Sequence, residues 1–317
     1  MAAKIAFENG AREVILVAVP GTSTADPDDF PAAYAKIANL HEAGIVVPVG
    51  AGISAGGNVN TMASHLVNHC TASSADGFFR VGILGIDTGF TGTPVTVAQD
   101  VPSPRLMVAW PNKLLYYNTF TNQAVEVGGQ YLAAAYAGRL VSRGVQHGLT
   151  RKTVTGFAGI ASAALAAMSK SAKDTWSSAG VTVTELTRSN ALIVRHGTST
   201  DTSSTAAREV SVTRAKDQMV RMVQDSIDGA QIIGSPLTAT SVTQIKSIVG
   251  GVLENCKDAE IIVDYKDLVG RVRPGNPQLI EIKFEYRPAW PLNYILVSFS
   301  IDTTTGTTEF GAGQNLG

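Results

Sequence analysis

The chain has 317 residues, 44% of them hydrophobic and 16% charged, with a formal net charge of −1. That length holds two domains of ordinary size, and the apolar content excludes a disordered chain. The near-neutral balance excludes a nucleic-acid coat, which needs a dominant basic surface, and suits a surface that meets copies of itself with little repulsion.

Residues 14–19 are a continuous β-branched and aliphatic run ended by Pro20-Gly21, which predicts a strand buried on both faces. Asp26-Pro27-Asp28-Asp29 starts a helix that runs to Glu42, with Gly44 as its C-cap. A strand over 45–49, a glycine-rich loop over 50–57, a helix over 58–70 and strands over 80–86 and 106–110 follow. This β-α-β-α-β order predicts a mostly parallel sheet with helices on its faces. An alanine-rich helix spans 130–142, another spans 170–179, and 181–186 with 191–196 read as a hairpin. Helices over 212–227 and 240–255 precede strands over 261–265, 279–286 and 294–301. The change from alternating strands and helices to helices followed by strands places a domain junction near 128. The reading is an α/β domain over 1–127, an α+β domain over 128–302, and a flexible arm over 303–317.

Cys70 and Cys256 lie far apart and are read as buried free thiols of a reducing cytoplasm. No signal-peptide core follows Met1, and the most apolar stretch, 156–168, is too short to span a bilayer, so membrane insertion is not expected. Gly52-Ile53-Ser54-Ala55-Gly56 matches the nucleophile elbow G-x-S-x-G. An α/β hydrolase would need an activating histidine such as His147 or His196, and a carboxylate such as Asp87 or Asp100. The competing reading is a tight connection in which small residues match by composition. The overlapping Gly50-Ala51-Gly52-Ile53-Ser54-Ala55 also fits a dinucleotide fingerprint, but the acid that should end the next strand, Asp87, lies too far along. His65 and His69 share a helix face without the glutamate or further ligands of a zinc site. Asp201 lacks the ligand density of a calcium loop. Catalytic residues, cofactor and metal are therefore each read as none. Trp110-Pro111 and Trp290-Pro291 read as packing corners.

Pro288-Ala289-Trp290-Pro291-Leu292-Asn293-Tyr294-Ile295, followed by Phe299-Ser300-Ile301-Asp302, resembles the terminal motif of contractile phage tail sheath proteins, a P-A-x-P-x-x-x-I-x-x-x-F ending. Three further segments agree in order. Phe7-Glu8-Asn9-Gly10-Ala11-Arg12 resembles a helix ending at an Asn-Gly pair before a strand. Residues 130–138 resemble the small-residue helix after the sheath's middle domain. Residues 208–217 resemble a segment running into a helix with a basic start. The resemblance implies a subtilisin-like middle domain without protease function and an inner C-terminal domain. It implies arms that add strands to neighbouring subunits, a helical homopolymer around a tail tube, and contacts to a baseplate and a tail terminator. A virion tail assembled in the bacterial host cytoplasm follows, with no direct nucleic-acid contact. Sheath proteins usually carry a segment ahead of the Asn-Gly helix, so an N-terminal linking arm is expected to be missing here. Arg214, Lys216 and Arg221 are candidate tube contacts, or simply solvated charges on a helix. Tyr294, Ile295, Val297, Phe299, Ile301 and Phe310 are candidates for the inter-subunit strand and arm.

Overall fold

Two apolar runs, near 81–85 and 106–110, lie side by side with the threonine-bearing strand at 181–186 at the centre of the computed structural model, where helices cover the faces of the sheet. The structure describes residues 1–21, 26–50, 56–238 and 240–297, with backbone alone at 56–57 and 296–297, and the backbone of 300–303, 306–309 and 314–315. The chain begins with α1 (Ala2–Glu8), a 3-10 turn (Pro27–Asp29) leading into α2 (Phe30–Ile37), β1 (Ile45–Val46), α3 (Gly56–Ala75), β2 (Val81–Gly85), α4 (Pro94–Asp100) and β3 (Leu106–Trp110). It continues through β4 (Lys113–Asn118), β5 (Gln123–Gly128), α5 (Gly129–Val141), β6 (Gly159–Ile160), α6 (Ser162–Ala167), α7 (Lys170–Ser178), β7 (Val181–Leu186) and β8 (Leu192–Val194). The last third holds α8 (Thr205–Arg208), α9 (Val210–Gly229), α10 (Ser241–Asp258), β9 (Ile262–Val272), β10 (Ile280–Pro288), β11 (Leu296–Val297), β12 (Ser300–Thr303), β13 (Gly306–Glu309) and β14 (Gln314–Asn315).

The main sheet runs β1-β2-β3-β7-β8, parallel through β7 and antiparallel only at β8. Every residue of β2 and β3 is buried, as unbroken aliphatic runs require. Two glycines of β2 show how closely the layers approach. A Cβ on Gly82 would lie 2.5 Å from Leu66 of α3, and one on Gly85 would lie 2.1 Å from the carbonyl oxygen of Gly129 in α5. Successive strand residues alternate faces, so α3 and α5 cover opposite sides of the sheet. The small residues of α5 serve a second approach. A Cβ on Gly138 would lie 2.2 Å from the Ala6 carbonyl oxygen of α1. The Asn9-Gly10 pair ends α1: buried Asn9 donates to the Ile5 and Thr155 carbonyls and accepts from the Thr155 amide, and Gly10 turns the chain at φ +102°.

One hydrophobic core gathers residues from Ile5 to Val210, and a second gathers Ala215, Met219, Val249, Val252, Leu253, Cys256, Ile261 and Ile262. The sheet is thus an α/β layer structure, and α9, α10 and the β9–β10 hairpin form an α+β unit after it. The core does not break at 128, where the change in element order placed the junction. α5 packs on β2 and β3, and β7 and β8 complete a sheet that begins at β1.

Two strand expectations change, and one hairpin is unexpected. Residues 14–19 form no ladder; Val17 and Val19 pack on the first core while Leu16 is 79% exposed. The nearby sheet edge, β1, is only two residues long and offers little to pair with. The expected strand over 294–301 splits into β11 and β12. These pair with β14 and β13 of the tail itself and not with the β9–β10 sheet. The antiparallel hairpin of β4 and β5, extended by β6, is absent from the sequence reading. Phe120 stands 98% exposed at its tip.

Candidate assembly interfaces

α9 contributes to both cores, with Val210 in the first and Ala215 and Met219 in the second. Its apolar stripe, Ala215, Met219, Met222, Val223 and Ile227, packs into the second core. From the other side Asp217 meets the first core. Arg105, just before β3, grips it with two parallel bonds, Nη1 to Oδ2 at 2.6 Å and Nη2 to Oδ1 at 2.8 Å. Arg105 Nη1 also donates to the Arg80 carbonyl at 3.1 Å, and the two ion-pair side chains are only 13% and 8% exposed. Arg80, buried beneath, spends its guanidinium on the carbonyls of Phe78, Ile37, Ala38 and Leu40 and on His69, closing the C-terminal end of α2.

The three basic residues read as tube contacts do not share one surface. Lys216 is exposed. Arg214 lies about 200° away around the helix, two residues at about 100° each. It is mostly withdrawn from solvent, and burial lowers its pKa to about 10 against the opposing pull of Asp217. Arg221, two turns on from Arg214, is half-buried and close enough to Arg80 to lower its pKa further, after burial.

The terminal motif returns from the second core to the first. After β10 the chain lays Pro291 against the loop at Gly148, where an added Cβ would lie 3.3 Å from the proline. Asn293 then accepts from Thr150 Oγ1 at 2.7 Å and donates to Glu209 Oε1 at 2.9 Å. Glu209 is buried at the start of α9 and also takes His196 Nε2 at 2.7 Å. The Tyr294 hydroxyl stands 3.4 Å from His196 Nδ1, with the two rings edge to face at 5.9 Å. Around these anchors Trp290, Leu292, Tyr294 and Ile295 are 48%, 77%, 54% and 52% exposed. Sequence reasoning quoted Asn293 and Tyr294 as pattern and missed Glu209, His196 and Thr150 as their seat. No local spacing connects 150, 196, 209 and 293.

Val297 lies in β11, where its backbone faces Gln314, and Ile301 lies in β12 opposite Thr308. Phe299 and Phe310 lie outside the described residues. Among the described residues no third strand pairs with either outer edge of the β9–β10 hairpin. That hairpin carries exposed Val263, Val269 and Val272.

Ser54 and the loop at 51–55 also lie outside the described residues. Of the alternatives named for it, Asp100 accepts from Asn60 at 2.7 Å and His196 is turned to Glu209. His65 faces Asp28 at 2.9 Å while His69 stacks on Tyr34 and meets Arg80, so the two do not converge on one ligand. Among the described residues no cluster of His, Cys, Asp and Glu could hold a metal, and no helix is long and apolar enough to cross a membrane.

No family model matches the chain. Over 311 residues it is 34% identical to the tail sheath protein of Mycobacterium phage Bxz1, covering 96% of this chain and 52% of that one. The chain thus spans about half the length of the curated relative it matches. Its fold is similar to a chain of the anti-feeding prophage helical sheath in its contracted state, with TM-score 0.68, 13% identity, and 95% and 81% of the two chains covered. It is also similar to a chain of the PVC sheath complex of an extracellular contractile injection system, with TM-score 0.66, 13% identity, and 96% and 80% covered. With the α/β sheet, the α+β unit after it and the terminal motif seated between them, the chain is similar along almost all of its length to a phage tail sheath protein, and in fold to sheath chains of contractile machines.

Proposed function

We propose that this chain is the body of a sheath subunit that polymerises around a tail tube and contracts to drive the tube through an envelope. The observation that carries the reading is the 34% identity to a phage tail sheath protein along 96% of the chain. The tail supplies a means of assembly. Its ladders are short, two residue pairs for β11–β14 and four for β12–β13, and isolated two-stranded hairpins are marginal in water. Exchanging those bonds for the open edges of a neighbour's β9–β10 hairpin replaces like with like and orders both partners. Such links tolerate tilting of the bodies, so the stored energy lies in two alternative packings of rigid subunits. Lys216, the exposed member of the basic trio, is the residue we assign to the tube, where a charge contact releases more readily than a dry apolar one. The tube, baseplate and terminator are the partners this reading requires, with assembly in the host cytoplasm before incorporation in the virion tail.

Deleting residues 303–317 tests the arm. The isolated deletion variant should keep its thermal midpoint, losing less than about 1–2 kcal/mol, and should form no sheath when expressed in a complete tail. Intact sheaths from the deletion would refute strand exchange. On this reading Ser54 has no catalytic part; stoichiometric labelling by a fluorophosphonate that Ser54→Ala abolishes would favour the hydrolase instead.

A further inference from the structure

The seat of Asn293 has a property that simple packing does not require. The segment around it leaves Leu292 77% and Ile295 52% exposed, so it is not held down by apolar burial. It is held by direction-specific bonds at one amide. The amide nitrogen donates to Glu209 Oε1 at 2.9 Å, and the amide oxygen accepts from Thr150 at 2.7 Å. Turning the amide over would set oxygen against carboxylate, so only one orientation satisfies both contacts. Glu209 is fixed in turn by His196, whose Nε2 lies 2.7 Å away. His196 Nδ1 faces the Tyr294 hydroxyl at 3.4 Å. One residue beyond, the seat ends, and the remaining described strands pair only among themselves.

We infer that Asn293 is the anchor at which the C-terminal arm leaves the body. Resting on the strand-exchange reading above, this means that pull from a neighbour is delivered to the start of α9 and to the loop at Thr150, and does not peel β10 from β9. Two bonds to groups on different elements must break together for the root to move, whereas ladder bonds at a strand end break one at a time. The same latch sets the angle at which the arm departs, because Asn293 is bonded to two elements and the next residues are more than half exposed.

Asn293→Asp keeps the size and the Thr150 contact but sets a second carboxylate against Glu209. In the otherwise unaltered protein, hydrogen exchange over 291–296 should quicken at least tenfold with the rest of the chain unchanged. In complete tails the variant should still form extended sheaths, since its strands are intact, and these should break apart on triggered contraction. Glu209→Gln combined with Asn293→Asp reverses donor and acceptor across the same gap, with His196 taking the tautomer in which Nε2 accepts from the new amide and Nδ1–H faces Tyr294, and should return both exchange and sheath integrity toward wild type. Wild-type exchange in the single variant would overturn the latch. Fast exchange with contracted sheaths that hold together would overturn its mechanical role, as would failure of the double variant to rescue. A wild-type chain that forms no sheath would overturn the sheath reading itself, and the anchor with it, whatever the exchange result.

Discussion

Replacing Asp217 by asparagine should uncouple the two cores. The substitution keeps the shape of the side chain but removes its charge and turns an amide toward one nitrogen of Arg105. The ion pair it breaks is bidentate, at 2.6 and 2.8 Å, and both side chains are nearly closed to solvent. An exposed pair of this kind would contribute about 0–1 kcal/mol. A withdrawn one that loses a single partner costs about 3–5 kcal/mol, because the surviving charge stays buried. Arg214 adds to that cost, since Asp217 is also the carboxylate that opposes the desolvation of its guanidinium. Set against a typical total of about 5–15 kcal/mol, the loss is large. It also falls between cores, so the transition should split, with α9, α10 and the β9–β10 hairpin released first. Urea titration followed by two signals resolves this. Tryptophan fluorescence reports mainly the first core, where Trp110 and Trp176 pack edge to face at 5.8 Å. Far-ultraviolet circular dichroism reports the helices of both cores. An early dichroism phase without a fluorescence change is expected for Asp217→Asn, and Arg105→Met with Asp217→Leu should recover most of the loss. A single transition within about 1 kcal/mol of wild type would refute the argument, showing that the pair behaves as a solvated one.

Arg80→Met should cost upward of about 3 kcal/mol in denaturant titration, since it orphans the carbonyls of Phe78 and Ala38 and strips one of two partners from those of Ile37 and Leu40. Burial first, and then Arg80, lower the pKa of His69 from 6.5 to about 4. The unfolded chain therefore takes up this proton at a higher pH than the folded one, and stability should fall as pH drops from 6.5 toward 4. His69→Gln should flatten that part of the stability–pH curve, and an unchanged slope would assign it to other groups. Burial pushes the Cys70 thiol up to about 12 and raises that of Cys256. Neither should react with Ellman's reagent in native protein, and both should react in urea; prompt native labelling would show that one core opens.

The sequence by itself determined the layered first unit. Runs such as 81–86 and 106–110 are apolar at every position, which only a strand covered on both faces can satisfy, and Asp26-Pro27 marks a helix start that the structure caps with the Asp26 side chain. It also carried the terminal motif, legible as a pattern without its reason. The tertiary structure decided the rest, because the forces concerned act between residues distant in the chain. Residues 14–19 have the composition of a strand, but a strand exists only where another edge accepts its hydrogen bonds. The core passes through 128 because β7 docks on β3, a choice of neighbour that no local period encodes. Arg214 reads like Lys216 as a charge on a helix, and only the packing of α9 against both cores withdraws one and exposes the other. Asn293 finds Glu209 across 84 residues, and the meaning of the motif lies in that contact.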